Sequence, residues 1–365
     1  MTQSLGLSLW LLRIPEVKAS LGLSLIDLSI ALFMQPFGVL IGFFIAPLII
    51  QKIGNKKSCL YFGSIFVSLF VLIPIAETFF ILAGVLFMSG MTCAGAEVSM
   101  NAFAAQMEKD FKIRMMSRFH SFWSFGALLS GGLVTLMSAL KVSFFSQQCI
   151  FIPIIFILVI IAARSLPEYY ISNTEIKIEI SSRFVPQLSL IILCLTPFGA
   201  LLLEGALMEW TAVFKGDYQN LSKVTVGLVF CSFAVAMTLF RFYGDYIIDK
   251  FGLRKTIKLS ICTSFLGMLL YAQNSTPTVS IVSAGLVGAG IANIYPITMT
   301  LAASLLGSKE KNVAAVAFVS FTSFLIGAPL IGFMGEYLGL EVALSIIAPT
   351  SLFPLLYLLN TNKKI

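Results

Sequence analysis

Charge is scarce in this 365-residue chain: Asp, Glu, Lys and Arg together make up 11%, against about a quarter in soluble domains. A chain so poor in polar side chains cannot cover a water-facing surface, which excludes a soluble globular protein. Histidine occurs once, as His120, and no metal cluster can be assembled around it. The six cysteines (Cys59, Cys93, Cys149, Cys194, Cys231 and Cys262) lie mostly in or beside apolar segments without paired spacing. They read as small buried hydrophobes, not as disulfide partners or metal ligands. The absence of a Gly-x-x-x-x-Gly-Lys-Ser/Thr loop argues against ATP drive. No nucleophile–base–orienter set supports an enzyme, and neither metal nor cofactor is expected. The start lacks a basic n-region and a small-residue cleavage site, so no cleavable signal peptide is expected.

What the chain does have is hydrophobicity. Apolar residues make up 58% and the mean hydropathy is +0.96, so its natural solvent is lipid. The net charge of +7 does not make a nucleic-acid surface, because the basic residues sit in short loops and form no stripe. Apolar runs of about 20 residues can span a bilayer as helices. They predict eleven complete spans, at 26–50, 59–76, 79–104, 119–140, 145–163, 187–213, 224–246, 256–272, 278–304, 313–334 and 342–359. An apolar piece at 4–14 is too short to cross. The longest polar stretch, 164–186, suits a linker between an N-terminal half (1–163) and a C-terminal half (187–365).

Basic residues fix an orientation. Lys52, Lys56 and Lys57 lie in loop 51–58, and Lys109, Lys112, Arg114 and Arg118 in 105–118. Arg164, Lys177 and Arg183 lie in 164–186, and Lys250, Arg254, Lys255 and Lys258 in 247–258. Lys309 and Lys311 follow in 305–312, and Lys363 and Lys364 at the C-terminus. The alternate loops hold only Arg13, Lys18, Lys141, Lys215 and Lys223. The positive-inside rule places the first set in the cytoplasm, as expected of an inner (plasma) membrane protein.

The sequence also repeats itself. Gln51-Lys52-Ile53-Gly54-Asn55-Lys56-Lys57 returns as Asp249-Lys250-Phe251-Gly252-Leu253-Arg254-Lys255, an offset of 198. Ser121-Phe122-Trp123-Ser124-Phe125 returns as Ser320-Phe321-Thr322-Ser323-Phe324, and Trp10 and Trp210 stand 200 apart, each near the outer end of its span. Together these argue for two parallel six-span halves, an arrangement that puts a substrate site at their interface near the membrane midplane. The seventh span begins near Gln187, so its counterpart is expected to begin before Met1. The first helix therefore reads as truncated, through either an upstream start or a shortened product.

The two basic loops, each after an even-numbered span, resemble the loop signature of the major facilitator superfamily. That signature is a small residue followed by Asp-Arg/Lys-x-Gly-Arg-Arg/Lys. The second copy matches through Gly244, Asp245, Asp249, Lys250, Gly252, Arg254 and Lys255; the first has Pro47 and Gln51 where glycine and aspartate are usual. A narrower likeness is to the fucose-permease-like branch and its bacterial inner-membrane members. It is carried by Glu97-Val98-Ser99-Met100-Asn101, by Arg114-Met115-Met116-x-x-Phe119-His120-Ser121-x-x-Ser124-x-Gly126, by Glu204-Gly205-x-x-x-Glu209-Trp210, and by Gly288-x-Gly290-x-x-Asn293-x-x-Pro296. The resemblance implies an all-helical major facilitator fold of twelve spans, alternating access, and often proton-coupled sugar uptake. The sugar permeases of that branch carry an acidic residue in the first helix, whereas residues 7–14 here have none.

Ionisable groups at membrane depth cost at least ~2.5–3.5 kcal/mol on insertion scales and so face a cavity or a partner. Glu97 and Asn101, four residues apart, share one helical face and read either as proton carrier and hydrogen-bond donor or as an interhelical tie. His120, just inside a span, suits a proton relay or a gate contact equally. Glu204 is deep enough to line a cavity, while Glu209-Trp210 reads as lying near the outer surface, where tryptophan anchors the interface. With Asn293, the candidate substrate and proton-coupling set is Glu97, Asn101, Glu204, Asn293 and His120. The candidate gate set is Lys52, Gly54, Arg241, Asp245, Asp249, Lys250, Gly252 and Arg254, with Arg241 and Asp245 spaced to pair on one face. The leading reading is a monomeric secondary transporter that moves a small, sugar-like organic solute with a proton. Proton-exchange efflux of drug-like or metabolite solutes and a non-transporting sensor or scaffold stand as alternatives.

Overall fold

In the computed structural model, residues 1–111, 116–167, 188–305 and 309–360 are described, without the side chains of 105, 106, 108, 109, 116–120, 303, 309–311 and 314. Their regular structure is helical throughout. The first half comprises α1 (Thr2–Leu11), α2 (Ile14–Leu21), α3 (Leu25–Ile53), α4 (Asn55–Leu69), α5 (Phe79–Phe111), α6 (Met116–Ala139) and α7 (Phe144–Ser165). The second comprises α8 (Leu188–Thr211), α9 (Lys223–Phe242), α10 (Gly244–Phe251), α11 (Leu253–Gln273), α12 (Pro277–Ile291), α13 (Ile294–Ser304), α14 (Lys309–Leu338), α15 (Leu340–Ile347) and α16 (Phe353–Asn360).

Ten stretches among the described residues are long and apolar enough to cross a membrane. The expected span at 256–272 is also one continuous helix, α11, made more polar by Lys255, Lys258, Ser260 and Ser264. Large apolar side chains stand fully outward on the spans, Phe80 at 82% and Phe44 at 73% exposure. In a bilayer that exposure meets hydrocarbon, so it carries no hydrophobic cost. Most of the expected linker at 164–186, much of loops 105–118 and 305–312, and the C-terminal lysines lie outside the described residues.

The two halves meet along two seams, α3 against α14 and α6 against α9. Their repeat is written into local geometry at the offset found in the sequence. Gly54 ends α3 at φ 83°, ψ 161°, and Gly252 ends α10 at φ 78°, ψ 149°, a region open essentially to glycine alone. Gly22 (φ 62°) and Asn220 (φ 57°) occupy the left-handed region in equivalent turns, which glycine and asparagine tolerate best. Two residues on, Ser24 and Ser222 cap α3 and α9, accepting from the amides of Asp27 and Thr225. Since successive crossing helices alternate in direction, the starts of α3 and α9 share one face, opposite the face with the basic loops.

Candidate functional site

The site begins with a break in a helix. Pro296 has no N–H, so the carbonyl of Ala292, four residues earlier, is left without its intrahelical donor. The chain parts there into α12 and α13, and Arg241 of α9 supplies the missing donor, Nε to the Ala292 oxygen at 3.2 Å. The same guanidinium donates from Nη2 to Glu204 Oε2 of α8 at 3.0 Å and from Nη1 to Ser124 Oγ of α6 at 3.0 Å. These side chains are well shielded, 14% exposed for Arg241 and 10% for Glu204. An unpaired charge at such depth is expensive, and pairing with further hydrogen bonds removes most of that cost. Because Ser124 belongs to the first half and Arg241 to the second, the group ties the halves together. Beside it, Trp123, Ser124, Glu204, Met208, Phe230 and Phe233 line a cavity of about 10 Å³, room for about one water.

Glu97 and Asn101 lie half-buried on α5. Tyr295, two residues past the helix break, is within electrostatic reach of Glu97, Arg241 and Glu204, so the two acidic elements share one neighbourhood. Asn293 is buried, and its amide oxygen packs where a side chain at Gly244 would otherwise stand. The small residue that opens the second loop motif therefore seats a candidate site residue. The structure thus gathers Glu204 and Arg241 directly, while Glu97 is linked to them only through their common neighbour Tyr295. The side chain of His120 lies outside the described residues.

Two expectations need correction. Arg241 does not pair with Asp245 in a gate. It turns inward to Glu204, Ser124 and Ala292, while Asp245 and Asp249 are exposed on α10. The reason is the stranded carbonyl and the carboxylate in the interior, both of which one long guanidinium can satisfy. Trp210 is no interface anchor either: it and its repeat partner Trp10 are both 0% exposed. Of the other gate candidates, Lys52, Lys250 and Arg254 stand on the exposed basic face and Gly54 and Gly252 form its turns. Sequence reasoning missed Ser124 and Tyr295 as site residues. Pro296 was the available signal, since a proline in a span always strands the carbonyl four residues before it.

A bundle of two repeated halves with charged groups at their shared seam is the architecture of a membrane transporter. The chain belongs to the Major Facilitator Superfamily, whose model matches residues 2–224 and 195–364, and it is a transporter, not an enzyme. It is 26% identical over 346 residues to an uncharacterized MFS-type transporter of Yersinia pestis, covering 94% of this chain and 89% of that one. Among solved structures, the nucleoside transporter NupG superposes with a TM-score of 0.73 at 12% identity, over 100% of this chain and 97% of that one. A variant of the E. coli fucose:proton symporter FucP gives 0.66 at 17% identity, over 100% and 96%. Likeness at such identities speaks to the fold.

Proposed function

We propose that this chain carries a small, sugar-like organic solute across the inner membrane together with a proton, by alternating access, and works as a monomer. In this reading residues 1–163 and 187–365 are the two rocking halves, 164–186 is the linker, and the basic loops and C-terminus face the cytoplasm. The observation that carries the reading is a carboxylate without an ion-pair partner among the described residues, Glu97, within electrostatic reach of the same tyrosine, Tyr295, as the Glu204–Arg241 pair. A symporter needs a group that can be charged in one state and neutral in another, and a partly buried carboxyl serves that role. Asn101, Asn293 and the hydroxyls of Ser124 and Tyr295 supply hydrogen-bonding groups for a hydroxylated solute, with Trp123 as an apolar wall. A proton symporter among the structural neighbours supports the same reading.

The test is proton uptake by proteoliposomes challenged with a panel of sugars and small polar solutes, for the parent and for Glu97→Gln. Solute-dependent proton entry that disappears in the variant is the expected result. A variant that couples normally reduces Glu97 to a structural hydrogen-bonding group. If no solute moves protons in the parent, symport is wrong and proton-driven efflux becomes the better reading.

A further inference from the structure

The halves are pinned together at the face opposite the basic loops, at two helix starts that the repeat makes equivalent. At one seam Lys223, the first residue of α9, donates from Nζ to Glu16 Oε1 of the first half at 2.7 Å. At the other seam Leu25, the first residue of α3, donates its amide to Glu336 Oε2 of the second half at 2.9 Å. Leu25 and Lys223 are 198 residues apart, the offset of the repeat. Four residues further along each helix the pattern recurs in packing. A Cβ at Gly332 would collide with Ser29 of α3, and a Cβ at Gly227 of α9 would collide with Thr135 of α6. Equivalent helix starts are thus each held by a carboxylate of the other half, above a glycine-to-hydroxyl contact.

The Glu16 pin is built on a rigid base. Arg13 is 2% exposed and donates to Gln147 Oε1, to the Val142 carbonyl and to Glu16 Oε1. Gln147 in turn donates to the Leu9 carbonyl. Glu16 is therefore fixed to its own half, and among its own bonds that to Lys223 crosses the seam. Burial by itself would raise the Glu16 carboxyl, but hydrogen bonds from Lys223 and Arg13 hold it below the usual carboxylate value. Lys223 stands in the first turn of its helix, where the macrodipole disfavours a cation, so helix stability does not account for a lysine there. An open pocket of about 320 Å³, lined by Arg13, Glu16, Lys141 and Lys223 among others, adjoins this pin, and the Lys223 and Glu16 side chains are 66% and 31% exposed. Solvent already reaches the bond, so it can exchange one partner for water without a dry intermediate.

We propose that Glu16–Lys223 and Glu336–Leu25 are the paired latches that close this mouth of the transporter and must release once in each transport cycle. The inference rests on alternating access but on no particular solute or coupling ion, and its test needs neither. A version with its six native cysteines replaced by serine or alanine would carry Ala127→Cys, a wall residue of the small central cavity. A membrane-impermeant thiol reagent would be added from the side opposite the basic loops.

Lys223→Gln and Glu16→Gln should each raise the labelling rate by about two- to fivefold, the range for one partly exposed ion pair. Together they should do no more than either alone, since they remove one bond. Glu16→Gln with Glu336→Gln should exceed both, and Lys223→Arg should label like the parent. Lys223 has a well-exposed side chain, so its variant folds even if Glu16→Gln does not. Parent-like labelling of Lys223→Gln, or full additivity of Glu16→Gln with Lys223→Gln, overturns the latch assignment.

Discussion

Removing the carboxylate beneath Arg241 exposes how the central site is held. In Glu204→Leu the guanidinium keeps its bonds to Ser124 and Ala292 but has no counter-ion, at a position where only 14% of the side chain is exposed. Breaking one side of a buried ion pair costs about 3–5 kcal/mol, and residual exposure puts the expected loss near the lower end, about 3 kcal/mol. Arg241→Met should cost less, because an orphaned carboxyl can shed its charge by taking a proton and a guanidinium cannot. It also strands the Ala292 carbonyl, at about 1–3 kcal/mol, so a smaller loss does not mean none. The double variant Glu204→Leu/Arg241→Met should recover to within about 1–3 kcal/mol of the parent, the cost of the stranded Ala292 carbonyl, since no charge remains buried. Reversible unfolding of purified protein in mixed detergent micelles would give the four values. If Glu204→Leu lies within about 0.5 kcal/mol of the parent, or the double equals the sum of the singles, the pair is not coupled and the cluster has no energetic basis.

Two further outcomes follow from other parts of the fold. Lys215 is 0% exposed, donating to the carbonyls of Tyr271 and Asn274 and to Gln219 Oε1, with its ammonium 4.4 Å from the centroid of the Tyr271 ring. Lys215→Met should leave the Tyr271 carbonyl unpaired and the Asn274 carbonyl with only its 3.4 Å bond from Ser280, losing about 1–3 kcal/mol in the same unfolding assay, whereas Lys57→Met, at an exposed position, should change little. Gly54→Ala and Gly252→Ala should each cost about 1–3 kcal/mol although a methyl at either meets nothing within 4 Å. Gly22→Asn should be near neutral because its repeat partner is Asn220. Equal, negligible losses at all three glycines would refute the backbone argument.

Spans, halves and repeat were legible because lipid imposes them residue by residue. Helices must be about 20 residues long and apolar, and a duplicated gene leaves the same turn residues at a constant offset. The turn at Gly54 could be read from its copy at Gly252. The capping pair Ser24 and Ser222 carries the same signal in two residues, too little to notice before the structure shows both at helix starts. Lys215 reads in the sequence as an ordinary loop lysine, because composition cannot distinguish a solvated ammonium from one enclosed by carbonyls and rings.

Arg241 shows why a site is harder to read than a fold. Its spacing from Asp245 fits an ion pair on one helix face, and nothing within α9 or α10 argues otherwise. The competing partners come from three other helices, α6, α8 and the broken α12–α13, and none is close in sequence. What decides between them is depth. An exposed arginine–aspartate pair gains about 0–1 kcal/mol, while Glu204 and the Ala292 carbonyl, left unsatisfied in the interior, would each cost more than that. The guanidinium therefore goes where the penalty for its absence is largest. The same comparison applies to any cation one or two turns from a span end: before pairing it with the nearest acid in sequence, the prolines and acids of neighbouring spans should be counted as rival acceptors. Applied to this chain it selects Pro296 and Glu204 together, and Arg241, drawn inward to both, is thereby placed to donate across the seam to Ser124 of the other half.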